Sequence, residues 1–130
     1  MSILGTGIDV VETIRVKKLL KKNNSFINRV FTNNEIKYCK KKNIVNCFSK
    51  RFAVKESLVK ALGTGFIKNI NFKDIEVKNN DLGKPIIFLS AKLRKKIKKI
   101  FKVKKFKIYL SLADEKKYAM ASVIIVKIWN

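Results

Sequence analysis

Ile3 to Val11 is almost continuously apolar and predicts a buried strand. With a period of two, Asp9 shares a face with Ile3, Gly5, Gly7 and Val11. Two glycines ahead of an acid leave room on that face for something to approach closely. On pattern alone Asp9 also reads as a polar strand end or an N-cap for the next helix. Thr13 to Lys22 predicts that helix, with Ile14, Leu19 and Leu20 inward and Arg15, Lys17, Lys18, Lys21 and Lys22 outward. Asn23-Asn24-Ser25 breaks the chain, and Phe26 to Phe31 forms a short helical turn. Thr32-Asn33-Asn34-Glu35 matches a capping box before Ile36-Lys37-Tyr38-Cys39, which favours a structural role for Glu35 over a catalytic one.

The central helix runs from Asn43 to Leu62. On a wheel of about 100° per residue, Phe52, Val54, Leu58, Val59, Ala61 and Leu62 share one half. Glu56, Ser57 and Lys60 fall on the other half, with Glu56 and Lys60 one turn apart. Arg51 and Lys55, also one turn apart, project into the apolar half. Burying an unpaired cation costs several kcal/mol, on the order of a small domain's whole stability. Either the helix end is exposed there or these cations meet an anion. Gly63 is placed as the residue that stops the helix.

The second half alternates strands with one helix. Phe72 to Lys78 and Pro85 to Leu89 predict a hairpin across Asn79 to Lys84. Ser90 caps a helix to about Lys102, whose stripe of Leu93, Ile97, Ile100 and Phe101 suits a helix covering a sheet rather than one lying on a membrane. Phe106 to Leu112 and Tyr118 to Trp129 are strands on either side of an Asp114-Glu115-Lys116-Lys117 turn. There are no repeats and no linker, so residues 1–130 form one domain. The element order β-α-α-α-β-β-α-β-β predicts an α+β fold with an antiparallel sheet packed with helices.

Charge adds a constraint. The chain carries 31 basic and 9 acidic residues, a formal net charge of +22, a balance that ordinarily points to nucleic acid. Only Arg15, Arg29, Arg51 and Arg94 are arginine, however, and the excess lysine comes with many Asn and Ile. All three have A/T-rich codons, so a base-composition bias accounts for part of the surface. The basicity still predicts attraction to acidic proteins and phosphorylated ligands.

The chain has no histidine. That excludes imidazole acid–base chemistry, Ser-His-Asp and Cys-His nucleophiles, and His-containing zinc sites. Cys39 and Cys47 form no C-x-x-C pair and read as ordinary core side chains in a reducing compartment. No apolar run is long enough to span a bilayer and no secretory signal pattern opens the chain, so the cytoplasm is expected.

Of the nine acids, Asp9 and Glu56 stand in the least ordinary surroundings. Two carboxylates from separate elements, with lysines nearby, do not close a metal cage. They suit Mg²⁺ when phosphate oxygens and water complete its octahedron. Lys55, Lys60 and Arg51 would then hold the remaining oxygens of a phosphoryl group, and Gly63-Thr64-Gly65 would add backbone N–H donors. This is not a P-loop, because G-x-x-x-x-G-K-[ST] does not occur.

Gly7-Ile8-Asp9-Val10-Val11-Glu12 with Arg15 following, Arg51-Phe52-Ala53-Val54-Lys55-Glu56-Ser57, and Lys60-Ala61-Leu62-Gly63-Thr64-Gly65 together closely resemble the holo-[acyl-carrier-protein] synthases. These are the small bacterial type of 4′-phosphopantetheinyl transferase. Phe31-Thr32-x-x-Glu35, Leu82-Gly83-Lys84-Pro85, Leu110-Ser111-Leu112 and Tyr118-Ala119-Met120-Ala121 extend the resemblance over essentially the whole chain.

The resemblance implies that fold, and transfer of 4′-phosphopantetheine from coenzyme A to a serine of apo-acyl carrier protein, as in fatty acid biosynthesis. It implies Mg²⁺ on Asp9 and Glu56 against the coenzyme A pyrophosphate. Arg51 and Lys60 belong to the coenzyme A site, and Lys84 and Pro85 to a loop near the nucleotide. Arg15 pairs with acidic residues of the carrier protein, and three copies assemble with sites at their interfaces. Asp114 stands where many relatives have histidine, so that contact does not carry over.

The chemistry expected is in-line displacement at the β-phosphorus. The serine oxygen bonds to phosphorus, the bond to the 3′,5′-ADP phosphate breaks, and the serine proton goes to a carboxylate or a metal-associated water. Glu56 is one candidate for that base, and Lys60 offsets charge. The rival reading is a small basic nucleic-acid-binding domain without catalysis. It explains the charge but not the carboxylate pair, and the strands lack the aromatic studding that single-strand binders use.

Overall fold

The structure is a computed structural model that describes residues 2–22, 24–65 and 70–129. Strand β1 (Ser2–Glu12) leads into helices α1 (Thr13–Lys22), α2 (Ser25–Val30), α3 (Asn33–Cys39) and α4 (Ile44–Leu62). A 3₁₀ turn (Phe72–Asp74) opens the hairpin of β2 (Ile75–Asn79) and β3 (Pro85–Leu89). Helix α5 (Ala91–Phe101) and strands β4 (Phe106–Asp114) and β5 (Tyr118–Lys127) follow. The fold is α+β, as the pattern predicts. Its strands form two antiparallel sheets, β1-β5-β4 and β2-β3. Four helices precede β2 rather than three, because the short turn after Asn24 is itself a helix.

Helix α4 lies along the inner face of β1 and β5, and β1 is built to receive it. A Cβ on Gly7 would sit 1.9 Å from the Ser57 carbonyl oxygen, and one on Gly5 would sit 2.1 Å from that of Ala61. Two strand residues span roughly 6.7 Å and four helix residues about 6 Å, so one strand repeat matches one helical turn. The glycines leave room here for the protein's own helix. One step further along the same face stands Asp9.

The inner face of β1 carries Gly5, Gly7, Asp9 and Val11 but not Ile3. A register irregularity between Ile3 and Gly5 reverses the alternation, turning Ile3 out at 58% exposure and Leu4 in. In α1 the buried apolar residue is Val16, beside the buried Thr13 at the helix start, with Leu20 partly buried one turn on. Ile14 and Leu19, expected inward, are exposed. The strand expected from Phe72 begins instead at Ile75. Asn71 and Asp74 cap each other, closing Phe72–Asp74 as a 3₁₀ turn. Ser57, expected on the polar half of α4, is fully buried, its Oγ 2.6 Å from the Ala53 carbonyl and 3.0 Å from that of Ala121. Helix α4 is covered by the sheet on one side and on another by Phe26, Phe31 and Phe72, which pack on its own Phe48 and Phe52, so it buries more than a half-wheel.

Cys39 and Cys47 are not independent core side chains. The end of α3 and the first turn of α4 bring their Cα atoms to 5.4 Å, within bridging range, and the two form a disulfide. The cysteine count therefore gives no argument for a reducing compartment.

Candidate functional site

The close approach of α4 to β1 places Asp9 opposite the helix face that carries Glu56 and Lys60. Lys60 Nζ donates to Asp9 Oδ1 and to the Ile8 carbonyl, each at 3.0 Å. The Asp9 side chain is 15% exposed and that of Lys60 55%. Glu56 is half-buried, and its carboxyl is pushed above the ordinary carboxylate value. Burial is the first cause and the Asp9 charge the second, offset in part by Lys60. Asp9 and Glu56 are thus electrostatically coupled, as two acids sharing a hard-cation site are.

The donor set is compatible with Mg²⁺. Both carboxylates are hard oxygen ligands whose mutual repulsion a dication would relieve. Among the described residues no cluster of three or more Asp, Glu, Cys or His exists, so water and substrate oxygens must supply the other ligands. That arrangement is the one Mg²⁺ tolerates best.

On another face of α4 a cleft of about 410 Å³ is lined by Lys42, Lys50, Arg51, Asn79, Gly83 and Pro85, among others. The guanidinium of Arg51 lies 4.6 Å over the Tyr38 ring, and its Nη2 donates to Asn79 Oδ1 at 2.9 Å. Its Nη1 donates to Cys47 Sγ at 3.4 Å, while Nε is buried with no partner among the described residues. Asp114 is the one acid in this lining, held by Asn46 at 3.2 Å and lying 3.9 Å from Lys50. A cation-rich cleft with one compensated acid suits phosphate oxygens. The 80–84 turn that presents its Gly83-Pro85 rim is closed by Asn80. The Asn80 side chain accepts from Leu82 N–H and Lys84 N–H, and Gly83 sits at φ +86°. Lys84 itself is exposed on that turn.

A third feature borders Glu56. Leu19, Phe26, Val30, Phe52 and Phe72 form an apolar groove of about 690 Å³, with Arg29, Lys73 and Glu56 among the polar residues in its lining. Nothing in the sequence pattern pointed to it, because its phenylalanines come from three separate elements. Arg15 is exposed on α1. Thr64 and Gly65 are exposed as well, but the Gly63 N–H is spent on the Lys60 carbonyl at 3.1 Å and caps the helix instead of waiting for a phosphate.

Lys55 does not belong to a ligand site. It is fully buried, and its ammonium donates to Glu35 Oε1 at 2.6 Å, the Val30 carbonyl at 2.7 Å and the Phe72 carbonyl at 3.2 Å. Its three N–H donors are matched by three acceptors, leaving none for coenzyme A. Burial lowers its pKa and the Glu35 charge opposes that shift. Glu35 is the residue that sequence reasoning undervalued. Its Oε1 also accepts from Thr32 N–H at 3.0 Å, completing the capping box, and its Oε2 accepts from Val77 N–H at 2.9 Å. A capping glutamate opposite a lysine on an apolar helix face was the available signal.

The sequence profile of the 4′-phosphopantetheinyl transferase superfamily matches residues 5–123. A holo-[acyl-carrier-protein] synthase of Pelagibacter ubique is 52% identical over 128 residues, covering 98% of this chain and 99% of that protein. The crystal structure of a holo-(acyl-carrier-protein) synthase from Bacillus anthracis in complex with CoA (3′,5′-ADP) is 35% identical, with a TM-score of 0.79, covering 97% of this chain and 98% of that one. The corresponding Neisseria meningitidis structure is 32% identical with a TM-score of 0.86, covering 97% of this chain and all of that one.

Proposed function

This chain belongs to the 4′-phosphopantetheinyl transferase superfamily, and we propose that it moves 4′-phosphopantetheine from coenzyme A to a serine of apo-acyl carrier protein, releasing adenosine 3′,5′-bisphosphate. The observation that carries the mechanism is the coupling of Glu56 to Asp9 across the glycine-lined contact, with Lys60 paired to Asp9.

Asp9 and Glu56 would hold Mg²⁺, which when bound neutralises charge on the pyrophosphate. Lys60, one turn from Glu56 and more than half exposed, can turn its ammonium toward a phosphoryl oxygen. Glu56 also lines the apolar groove, and its carboxylate oxygen turned away from the metal is the group we assign to accept the serine proton. Arg51, with Lys84 and Pro85 on the 80–84 turn, would face the nucleotide phosphates, and Thr64 and Gly65 lie past the end of α4 where further phosphate contacts are available.

Arg51 and Glu56 are five residues apart on α4, about 140° around the helix. One coenzyme A molecule touching both the basic cleft and the carboxylates therefore calls for two copies of the chain. The outer face of the β1-β5-β4 sheet supports this, because Ile3, Ile8, Val10, Tyr109 and Met120 are all more than a third exposed there. A homotrimer closed through this face is the assembly we propose. Among the described residues no helix is long and apolar enough to cross a membrane. The cytoplasm, where coenzyme A and carrier protein meet, is the proposed compartment.

The test is intact mass of purified apo-acyl carrier protein after incubation with this chain, coenzyme A and Mg²⁺. A gain of one phosphopantetheine per carrier is expected. An unchanged carrier mass, with a known transferase active in parallel, would overturn the assignment.

A further inference from the structure

The buried ammonium of Lys55 joins parts of the chain that otherwise have little reason to keep a fixed spacing. Val30 closes α2 and Phe72 opens the 3₁₀ turn, and the carbonyls of both accept from this one side chain. Both residues also line the apolar groove beside Glu56. Glu35 extends the link to the Thr32 and Val77 amides, so α2, α3, α4, the 3₁₀ turn and β2 meet at a single ion pair. The aromatic lining is tied to the same point. The ammonium lies 5.3 Å from the Phe31 ring, which lies behind the groove and packs on its Phe26 at 5.7 Å, and Phe52 packs between Phe26 at 5.5 Å and Phe72 at 5.8 Å. Glu56 is the next residue along the chain.

We propose that Lys55, through Glu35, is a positioning residue for the transfer reaction. It fixes the separation of the Val30 and Phe72 sides of the groove, and so sets where an acceptor entering there meets Glu56. The inference rests on the function proposed above. A cation on an apolar helix face, with every donor spent on the backbone and counter-ion beneath a groove, serves the groove's shape. Glu35→Gln/Lys55→Met replaces the pair by neutral side chains of similar size and leaves Glu56, Asp9, Lys60 and Arg51 in place.

The experiment compares that double variant with wild type for folding by circular dichroism, coenzyme A affinity by calorimetry, and steady-state transfer with the carrier protein varied. The folded variant is expected to bind coenzyme A within twofold of wild type and to lose at least tenfold in kcat/KM for the carrier protein. Wild-type kcat/KM in the folded variant would reduce the pair to a stability element and overturn the proposal. Loss of coenzyme A binding would overturn it too, by returning Lys55 to the ligand site. If the double variant does not fold, Glu35→Gln alone decides. It keeps the side chain's shape, and a kcat/KM for the carrier protein within twofold of wild type rejects the proposal, while a larger loss with coenzyme A affinity intact supports it. Failure of wild type to modify the carrier protein in the same assay would count against the proposed function instead.

Discussion

Lys60 Nζ donates to Asp9 Oδ1 at 3.0 Å, pairing the helix-facing acid of β1 with the side chain one turn beyond Glu56 on α4. Three charged groups from two elements therefore act as one electrostatic unit. Removing either acid halves the carboxylate oxygens the chain can offer a hydrated dication and leaves the rest of its shell to water and substrate. Asp9→Ala and Glu56→Ala should each lose about 10²-fold or more in kcat, the range for removing a charged group that acts on the transition state. Circular dichroism should report unchanged secondary structure. Wild-type turnover by either variant at limiting Mg²⁺ would remove the metal assignment.

The raised pKa of Glu56 gives a stability prediction of opposite sign to the activity one. Its folded value lies above the ordinary 4.5, so the native state holds the proton more tightly than the unfolded chain does. Stability then falls as pH rises from that ordinary value through the folded one. Without divalent cation, Glu56→Gln should raise Tm at neutral pH by removing the buried charge and its repulsion with Asp9. The gain should vanish below the ordinary carboxylate value. Thermal melts from acid to neutral pH in chelator decide this, and a variant less stable than wild type at neutral pH contradicts it.

Gly7 is the tightest point of the contact between β1 and α4. Its added Cβ would meet the Ser57 carbonyl oxygen at 1.9 Å, a backbone atom that cannot turn aside. Gly7→Ala should destabilise by about 1–3 kcal/mol, as overpacking does. Because the same contact aligns Asp9 with Glu56 and Lys60, activity should drop further than stability accounts for. Urea titrations and transfer assays on the variant check both. A stability change under about 0.5 kcal/mol, the range of an ordinary surface substitution, would mean that the helix does not press on the strand as described.

Much of this architecture is legible in the residues, and what is not has definite causes. The capping box at Thr32 and Glu35 is local, and so is the helix stop at Gly63; three or four residues specify each. The glycines of β1 announce a close approach but not what approaches. The misplacement of Lys55 is more instructive. A wheel shows a cation on an apolar face, yet its anion lies 20 residues away, in a segment whose evident role was capping. The groove beside Glu56 is formed by side chains from α1, α2, α4 and the 3₁₀ turn, and no window of sequence contains it. At Ile3 a single register irregularity reverses the expected alternation.

The Cys39–Cys47 disulfide joins the end of α3 to the first turn of α4, and Cys47 lies in the lining of the basic cleft. Closing so short a loop is worth on the order of 2–3 kcal/mol through the unfolded chain. Reduction should lower the urea midpoint accordingly, and alkylation of the urea-unfolded, unreduced protein should label no cysteine. Labelling of both cysteines in the unfolded, unreduced protein would show the pair to be open thiols.

Arg15 is exposed on α1, and Lys18 and Lys22 follow it at helical spacings of three and seven. This row forms a cationic ridge rather than a core face. An acidic carrier protein meeting it would gain long-range attraction, which acts chiefly on association rate and weakens with salt. Arg15→Glu replaces one attraction with one repulsion at the rim. Affinity for the carrier protein should fall roughly tenfold at low ionic strength, about 1.4 kcal/mol. The gap should narrow in 0.5 M salt, where the screening length falls to about 4 Å and the long-range part of the attraction is lost. Coenzyme A affinity should not change, because Arg15 does not line the basic cleft. Calorimetric titration with each partner separates the two effects, and unchanged carrier affinity at low salt would remove α1 as the docking ridge.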